Sequence, residues 1–481
     1  MDLTSRRSKR AMRSGDAMTG RFLGSVAAVV LIVLSTPLSA RADSDDPICD
    51  GNWHYVSVPG AVCLDGTGTG YQYACSPGLG PTGPLMVYFE NGGACWDADM
   101  CNCGYSVSSC LQNFQCCTTS SFIGTNHWGI ENSCDGQPYG ACFNVPDVGT
   151  YASTMDIGQE QGFNSPTSGF NTTGATGAAG LNRWNMALIP YCTGDGLVGS
   201  GKTARFTSST GVTYTATFNG YNDVTLDLFS MASKFRPSKV ALWGSSAGSV
   251  GVLCNLQQIA AVWPQTQYVM QDALVPWDSH IVPLQPLTFQ IWGAWTPGHD
   301  GEIAGVTCPI PEHSVGPWGT DLVARSNRQR LPEIRKALTD DYSSFVENFF
   351  FCLWNAKPDS QGSCASAVAS DMNDVFFEDV GPGNPTYRVF YHDGECHAER
   401  EADDSLGLQC ATGANVSASC NCPAGATSCQ DAVTCGPTTP TCEFDPFKCD
   451  YDSMVQNGVH FNDWVRQWLQ VPGFQDWDDV R

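Results

Sequence analysis

The stretch KVALWGSSAGSVGVLCNLQQIAAVW at 239–263 constrains this chain more than any other. Its first five residues form a short apolar run of the kind that makes a buried strand, and its last fifteen have the length and spacing of a helix. Between them stands Gly244-Ser245-Ser246-Ala247-Gly248, so the chain must pass from strand to helix through one sharp turn that admits only small side chains. A plain Ser/Gly turn would also read G-x-S-x-G, but the strand before and the helix after are what a nucleophile elbow requires. In that setting Ser246 Oγ is presented at the carboxyl end of the strand. The amide of Ala247, at the helix N-terminus, is placed to stabilise an oxyanion.

The surrounding sequence supplies similar elements. Apolar runs at 85–90 (LMVYFE), 186–190 (MALIP), 240–243 and 387–391 predict strands. The spacing of apolar residues predicts helices over 224–235, 250–263, 328–338, 342–353 and 461–469. Residues 43–80 show little periodicity, residues 91–180 are rich in loops and cysteine, and no repeat of fixed period is present. Strands alternating with helices predict an α/β fold built on a mostly parallel sheet flanked by helices.

The ends and the charge narrow the setting. Arg6, Arg7, Lys9, Arg10, Arg13 and Arg21 form a basic leader, residues 23–38 are apolar, and Ala40-Arg41-Ala42 fits a small-x-small cleavage site. This reads as a secretory signal over 1–42, the apolar run being short for a membrane anchor. The Arg6-Arg7 pair hints at twin-arginine export, but the residues after it do not continue that pattern. Lys and Arg number 24 against 48 Asp and Glu; without 1–42, which hold seven bases and two acids, the balance is −29. Phosphate binding needs a basic face, so nucleic acid is excluded as a partner. No later run is long and apolar enough to span a bilayer, so no stable membrane insertion is expected after cleavage.

All 24 cysteines come after the leader, with dense clusters at 95–117 and 410–449. An even number in an exported chain predicts disulfides, up to twelve, of undetermined pairing. Zinc is the weaker reading, because the clusters lack paired C-x2-C knuckles and their own histidines. Acidic pairs at Asp97 and Asp99 or Asp445 and Asp450 lack calcium-loop spacing and read as solvated surface. No metal and no cofactor is expected. The chain from 43 to 481 reads as one catalytic domain, a monomer, with cysteine-rich insertions near 95–142 and 401–449.

A serine nucleophile needs a histidine base, oriented by a carboxylate. His280, His299, His313, His392, His397 and His460 come after Ser246. His397 lies after the strand at 387–391 and beside the turn residues Asp393 and Gly394. His460, at the start of the last helix, is its rival from position alone.

Five blocks add a resemblance. YFENGGACW at 88–96, WNMALIPYCTGDGLVGSG at 184–201, WGSSAGSVGVL at 243–253, WNAKPDSQ at 354–361 and GECHAE at 394–399 occur in the order of the pectinacetylesterase/Notum family of α/β-hydrolase-like serine carboxylesterases. The chain resembles a distant, bacterial-type member. It departs from the family at Asn91, at Ala94, where the family has Trp, and at Ser249, where the last glycine of G-x-S-A-G-G stands. The resemblance implies an α/β-hydrolase-like fold, with Ser246 as nucleophile, Asp359 as the acid and His397 as the base. It also implies oxyanion amides from Gly93 and Ala94 beside Ala247. Asp359 would otherwise read as a turn residue after Pro358, and Asn91-Gly92-Gly93 as a tight turn.

The resemblance further implies removal of an O-acyl group, foremost acetyl, from a carbohydrate or other ester substrate, in a secreted or periplasmic protein. The strong negative charge weighs against bare polygalacturonate as that carbohydrate. A polyester or lipid ester hydrolase, or a non-catalytic disulfide-rich binding protein on the same fold, are the alternatives. All three triad positions are filled with competent residues in the right order, which favours the enzyme. Intact-mass and N-terminal analysis of the exported protein is expected to place its first residue at Asp43.

Overall fold

The computed structural model describes residues 47–64, 66, 68–76, 78–90, 94, 96, 184–207, 213–273, 285–297, 303–310, 320–341, 369–370, 372–377, 381, 383–392, 455–471 and 477–481. The expected signal segment, the helix expected at 342–353, and the two cysteine-rich insertions (Trp96 excepted) lie outside these residues.

In chain order the strands are β1 (Trp53–Val62), β2 (Gly68–Ala74), β3 (Leu85–Phe89), β4 (Asn185–Ile189), β5 (Lys202–Thr207), β6 (Thr213–Phe218), β7 (Val240–Ser245), β8 (Thr266–Asp272), β9 (Trp295–Pro297), β10 (Ile303–Gly305), β11 (Arg335–Asp341), β12 (Tyr387–His392), β13 (Val455–Gln456) and β14 (Val459–His460). The helices are α1 (Gly220–Lys234), α2 (Ala247–Val262), α3 (Gln285–Trp292), α4 (Thr320–Arg330) and α5 (Phe461–Trp468).

One sheet of eight strands runs in the order β1-β2-β4-β3-β7-β8-β11-β12. β2 is antiparallel to both its neighbours, and every pair from β4 to β12 is parallel. Parallel strands need crossovers, and α1 and α2 supply those before and after β7. This is an α/β-hydrolase-like fold.

Alternation along the strands sorts the core into two faces. Met86, Tyr88, Met186, Leu188, Ala241, Trp243, Tyr268 and Met270 point to one side and meet α5. That helix presents Phe461, Trp464, Val465 and Trp468, a stripe at i, i+3, i+4 and i+7. Trp243 lies edge-on to Phe461 and Trp468, with ring centroids 6.5 and 5.9 Å away. The other face carries Leu85, Val87, Phe89, Ala187, Ile189, Val240 and Leu242 against Val224, Leu228 and Met231 of α1 and Val252, Leu256 and Ile259 of α2. The outer side of α2 is covered in turn: Val250, Leu253 and Cys254 share a cluster with Phe289 and Trp292 of α3 and Val323 and Ala324 of α4. A helix apolar nearly all round is one buried on both sides.

Segment 328–338 differs from the helix its spacing predicts. α4 ends at Arg330, and β11 begins at Arg335. Pro332 has no N–H for a helical bond and disfavours helical geometry at Leu331, so the pattern of Ile334, Ala337 and Leu338 is read by a strand. β11 sits between β8 and β12, and Lys336, buried there, donates to the carbonyls of Leu331 and Ile334 at 2.5 and 2.9 Å. β1 and β2 fill the aperiodic stretch at 43–80. β8 and the β5–β6 hairpin carry no sequence expectation at all.

The two outer strands differ: the outer edge of β12 is occupied, and β1 is interrupted. Along β12, the Val480 N–H donates to Val389 and its carbonyl accepts from Tyr391, at 2.9 and 2.8 Å, with Asp479 Oδ1 taking the Val389 N–H. β1 loses register between Ser57 and Val62, where Pro59 and the positive-φ Gly60 stand.

Three disulfides lie among the described residues: Cys49–Cys75, Cys63–Cys192 and Cys254–Cys308. They tie the start of β1 to the end of β2, the end of β1 to the segment after β4, and α2 to the segment after β10. The 129-residue separation of the second makes it worth up to about 5 kcal/mol by restriction of the unfolded chain. Such bonds persist in an oxidising compartment, outside the cell or in the periplasm. Among the described residues no helix is long and apolar enough to cross a membrane.

α1 also buries two carboxyls one turn apart, Asp223 and Asp227. Asp223 Oδ1 accepts from the Val62 N–H and the Asn219 amide at 2.9 and 2.6 Å, while Asp223 Oδ2 and Asp227 Oδ1 take no hydrogen bond. Burial pushes Asp223 up to about 8, with the Val62 N–H opposing and the charge of Asp195 adding to it. Burial and then the charge of Asp223 push Asp227 well above the carboxylate range. A carboxyl raised on folding holds its proton more tightly in the native state than in the unfolded one. Its stabilisation is therefore complete below about pH 4 and falls by on the order of 1 kcal/mol per pH unit as pH climbs toward the folded value. In thermal unfolding from pH 5 to 8, Asp227→Asn is expected to gain steadily on the wild type; parallel curves would contradict this.

Candidate active site

Ser246 occupies the single position between β7 and α2, with φ 52° and ψ −120°. A non-glycine residue in left-handed backbone costs of order 1–3 kcal/mol and persists only where its surroundings impose it. The two glycines show what does the imposing. A Cβ on Gly248 would stand 2.1 Å from the Phe89 carbonyl oxygen at the end of β3, and one on Gly244 2.3 Å from the Gly248 carbonyl oxygen. The first turn of α2 therefore lies directly on the ends of β3 and β7, and the G-x-S-x-G spacing is the record of that contact.

The backbone of Ser246 is fixed on both sides. Its N–H donates to the Asp272 carbonyl at 2.8 Å, and its carbonyl accepts from the Ser249 N–H at 2.9 Å. The residue is mostly buried, at 7 % exposure. Ala247 opens α2, so its amide is among the first-turn N–H groups that have no acceptor within the helix. The positive end of the helix dipole lies at the same point. The arrangement presents a hydroxyl beside a site suited to developing negative charge.

Two further segments converge here. After β3, the buried Glu90 takes the Tyr191 N–H on its carboxylate at 2.6 Å and gives its own N–H to Ile189 at 3.1 Å. Ala94 joins the apolar cluster that holds Val250 and Leu253 of α2, so it is packed against that helix. After β4, Asp195 is fully buried and accepts from Thr193 Oγ1 and from the amides of Leu197 and Gly220 at 2.5, 3.0 and 2.9 Å. Burial raises its pKa despite these donors. The Leu197 carbonyl receives the side-chain amide of Asn255 in α2 at 2.9 Å. The block at 184–201 is thus a structural knot beneath α2.

Of the residues singled out by sequence, Ser246, Ala247 and Ala94 are brought to this edge of the sheet. Gly93, Asp359 and His397 lie outside the described residues, as do His280, His299 and His313. β7, β8, β11 and β12 are parallel neighbours, so their carboxyl ends share the edge that bears Ser246. The chain leaves β11 at Asp341 and β12 at His392, the strands that precede Asp359 and His397 in sequence. His392 is buried at the end of β12, and His460 is exposed at the N-cap of α5.

Sequence reasoning missed Asp272. It ends β8, and its carboxylate accepts from Ser245 Oγ and Trp243 Nε1 at 3.1 and 3.3 Å. With β8 unforeseen, nothing marked that aspartate. Among the described residues no three His, Cys, Asp or Glu side chains come together as metal ligands.

No known family profile matches the sequence, and no curated protein does. Two crystal forms of the Wnt deacylase Notum from Drosophila are among its structural neighbours. The first is 12 % identical at a TM-score of 0.41, over 89 % of this chain and 95 % of that one. The second is 14 % identical at 0.37, over 71 % and 84 %.

Gly248→Ala places a methyl group into the Phe89 carbonyl and is expected to destabilise the protein by about 3 kcal/mol or more. A melting temperature within a degree of wild type would mean that the helix does not seat on β3 as described.

Proposed function

We propose that the chain is an exported serine carboxylesterase of the pectinacetylesterase/Notum type. It removes O-acyl groups, foremost acetyl, from a carbohydrate or other ester. The observation that carries this reading is Ser246, a non-glycine residue held at positive φ at the single position between β7 and α2, which is the strand–turn–helix setting of a nucleophile elbow. The shared carboxyl edge of β7, β11 and β12 supports Asp359 and His397 as its partners, since both come after those strands.

In the proposed reaction His397 takes the Ser246 proton as the hydroxyl attacks the ester carbonyl. The amides of Ala247, Ala94 and Gly93 receive the oxyanion. The protonated His397 then gives its proton to the departing alcohol, leaving an acyl-serine, which water opens by the same steps. Asp359 holds the imidazole in the tautomer that accepts the proton. The mature chain's negative charge favours a neutral acylated substrate over a polyanionic one.

The test uses the mature protein made in an oxidising compartment, with p-nitrophenyl esters from acetate to palmitate. Wild type is expected to hydrolyse the short chains best, and Ser246→Ala to lose at least ~10³-fold in kcat/KM. Folded wild type that cannot be told from Ser246→Ala on every ester would overturn the reading in favour of a binding protein.

A further inference from the structure

We propose that Ser249 and Asp272 are positioning residues, a buried latch that holds Ser246 in its left-handed conformation; this rests on Ser246 being the nucleophile. Both side chains are fully buried. Ser249 Oγ accepts the Asp272 N–H at 2.9 Å, and its own hydrogen is shared between the carbonyls of Gly244 and Asp272, at 2.5 and 2.8 Å. One hydroxyl therefore joins the first turn of α2 to the last residues of β7 and β8.

The same Asp272 carbonyl accepts from the Ser246 N–H, and the Ser249 N–H donates to the Ser246 carbonyl. Every backbone polar group of Ser246 is thus fastened to one of the two latch residues. Asp272 is in turn anchored across the sheet. Its carboxylate accepts from Ser245 Oγ and from Trp243 Nε1, and the Trp243 ring is packed in the aromatic core against α5. Ala273, next in the chain, has φ 54°, so both strand ends that meet here leave ordinary backbone geometry. The pectinacetylesterase/Notum motif carries glycine at the position of Ser249. A glycine has no hydroxyl to make these three contacts, so this chain has added a restraint of its own.

The latch touches no substrate. Releasing it should misplace the attacking oxygen while leaving the binding surface intact, so the loss should fall on kcat and not on KM. Displacing a reacting atom by ~1 Å costs ~10²-fold.

The experiment compares Ser249→Ala, Asp272→Ala and Asp272→Asn with wild type. Active sites are counted by a fluorophosphonate, and p-nitrophenyl acetate is the substrate. Per titrated site, Ser249→Ala and Asp272→Ala are expected to lose about 10- to 100-fold in kcat and in phosphonylation rate, with KM within about threefold. Asp272→Asn, which keeps an acceptor for Ser245 and Trp243, is expected to retain most of the rate. Hydrogen exchange over 244–250 should quicken in Ser249→Ala. Should that variant not accumulate folded, Ser249→Gly takes its place with the same expectation.

Per-site kcat within twofold of wild type for Ser249→Ala and Asp272→Ala, with only the melting temperature lowered, would reduce the latch to a packing feature. An equal loss in Asp272→Asn and Asp272→Ala would refute its carboxylate as an acceptor anchor. Wild type that takes up no fluorophosphonate at Ser246 would sink the esterase reading, a result distinct from either.

Discussion

The first turn of α2 rests on the carboxyl ends of β3 and β7 at a separation that excludes even a Cβ, and the edge of the molecule is arranged around that contact. Because Gly248 meets the Phe89 carbonyl, the helix cannot lift away to let the preceding residue relax. Because Gly244 meets the Gly248 carbonyl, the strand cannot run on past Ser245. Ser246 takes the only backbone path left. The knot around Asp195 supports the helix from the side of β4, and α3 and α4 cover its outer face. The apolar layers act as the vice in which one strained residue is held.

The buried carboxylates fall into two kinds. Asp195, Glu90 and Asp272 accept N–H or O–H donors from neighbouring segments: Asp195 rivets the segment after β4 to the start of α1, while Glu90 and Asp272 fasten the carboxyl ends of strands that lie side by side in the sheet. Asp223 and Asp227 are less well supplied, and each keeps an oxygen without a donor. Burial without full hydrogen bonding disfavours the charged form, so this pair resists ionisation. All five are buried, so the supply of donors, and not depth, separates the two kinds.

Much of the fold was legible wherever the local pattern and the tertiary setting agree. Strands β3, β4, β7 and β12 are short apolar runs buried on both faces, and α1, α2 and α5 keep helical spacing against the sheet. The elbow was legible as well, since an apolar strand run and a helical spacing flank it within residues 239–263, although the contact that Gly248 answers to, the Phe89 carbonyl, is far away in the chain. Misreading began where tertiary pairing decides. The residues of β11 carry a helix-like spacing, and only Pro332 and the flanking strands β8 and β12 turn them into strand. β1 and β2 were hidden because proline and glycine interrupt the alternation of the first and glycines that of the second. Asp272 was illegible for the same reason as β8: its partners are Ser245, Ser246 and Ser249, more than twenty residues away, and no local pattern announces them. Asp359 was picked out through a family resemblance alone and His397 also by its place after the strand at 387–391, because a single functional side chain leaves no periodicity to read.

The outer strands of the sheet carry a consequence of another kind. An open strand edge is a template on which a second chain can pair. Here Val480 and Asp479 occupy the hydrogen-bonding groups of β12, and Pro59 with Gly60 breaks the run of β1. Among the described residues, neither end of the sheet offers a long uninterrupted ladder to a neighbour. The protein's aromatic-rich interior can thus be built on eight strands without inviting copies to zip together edge to edge, and the last few residues of the chain serve as a guard rail for its outermost strand.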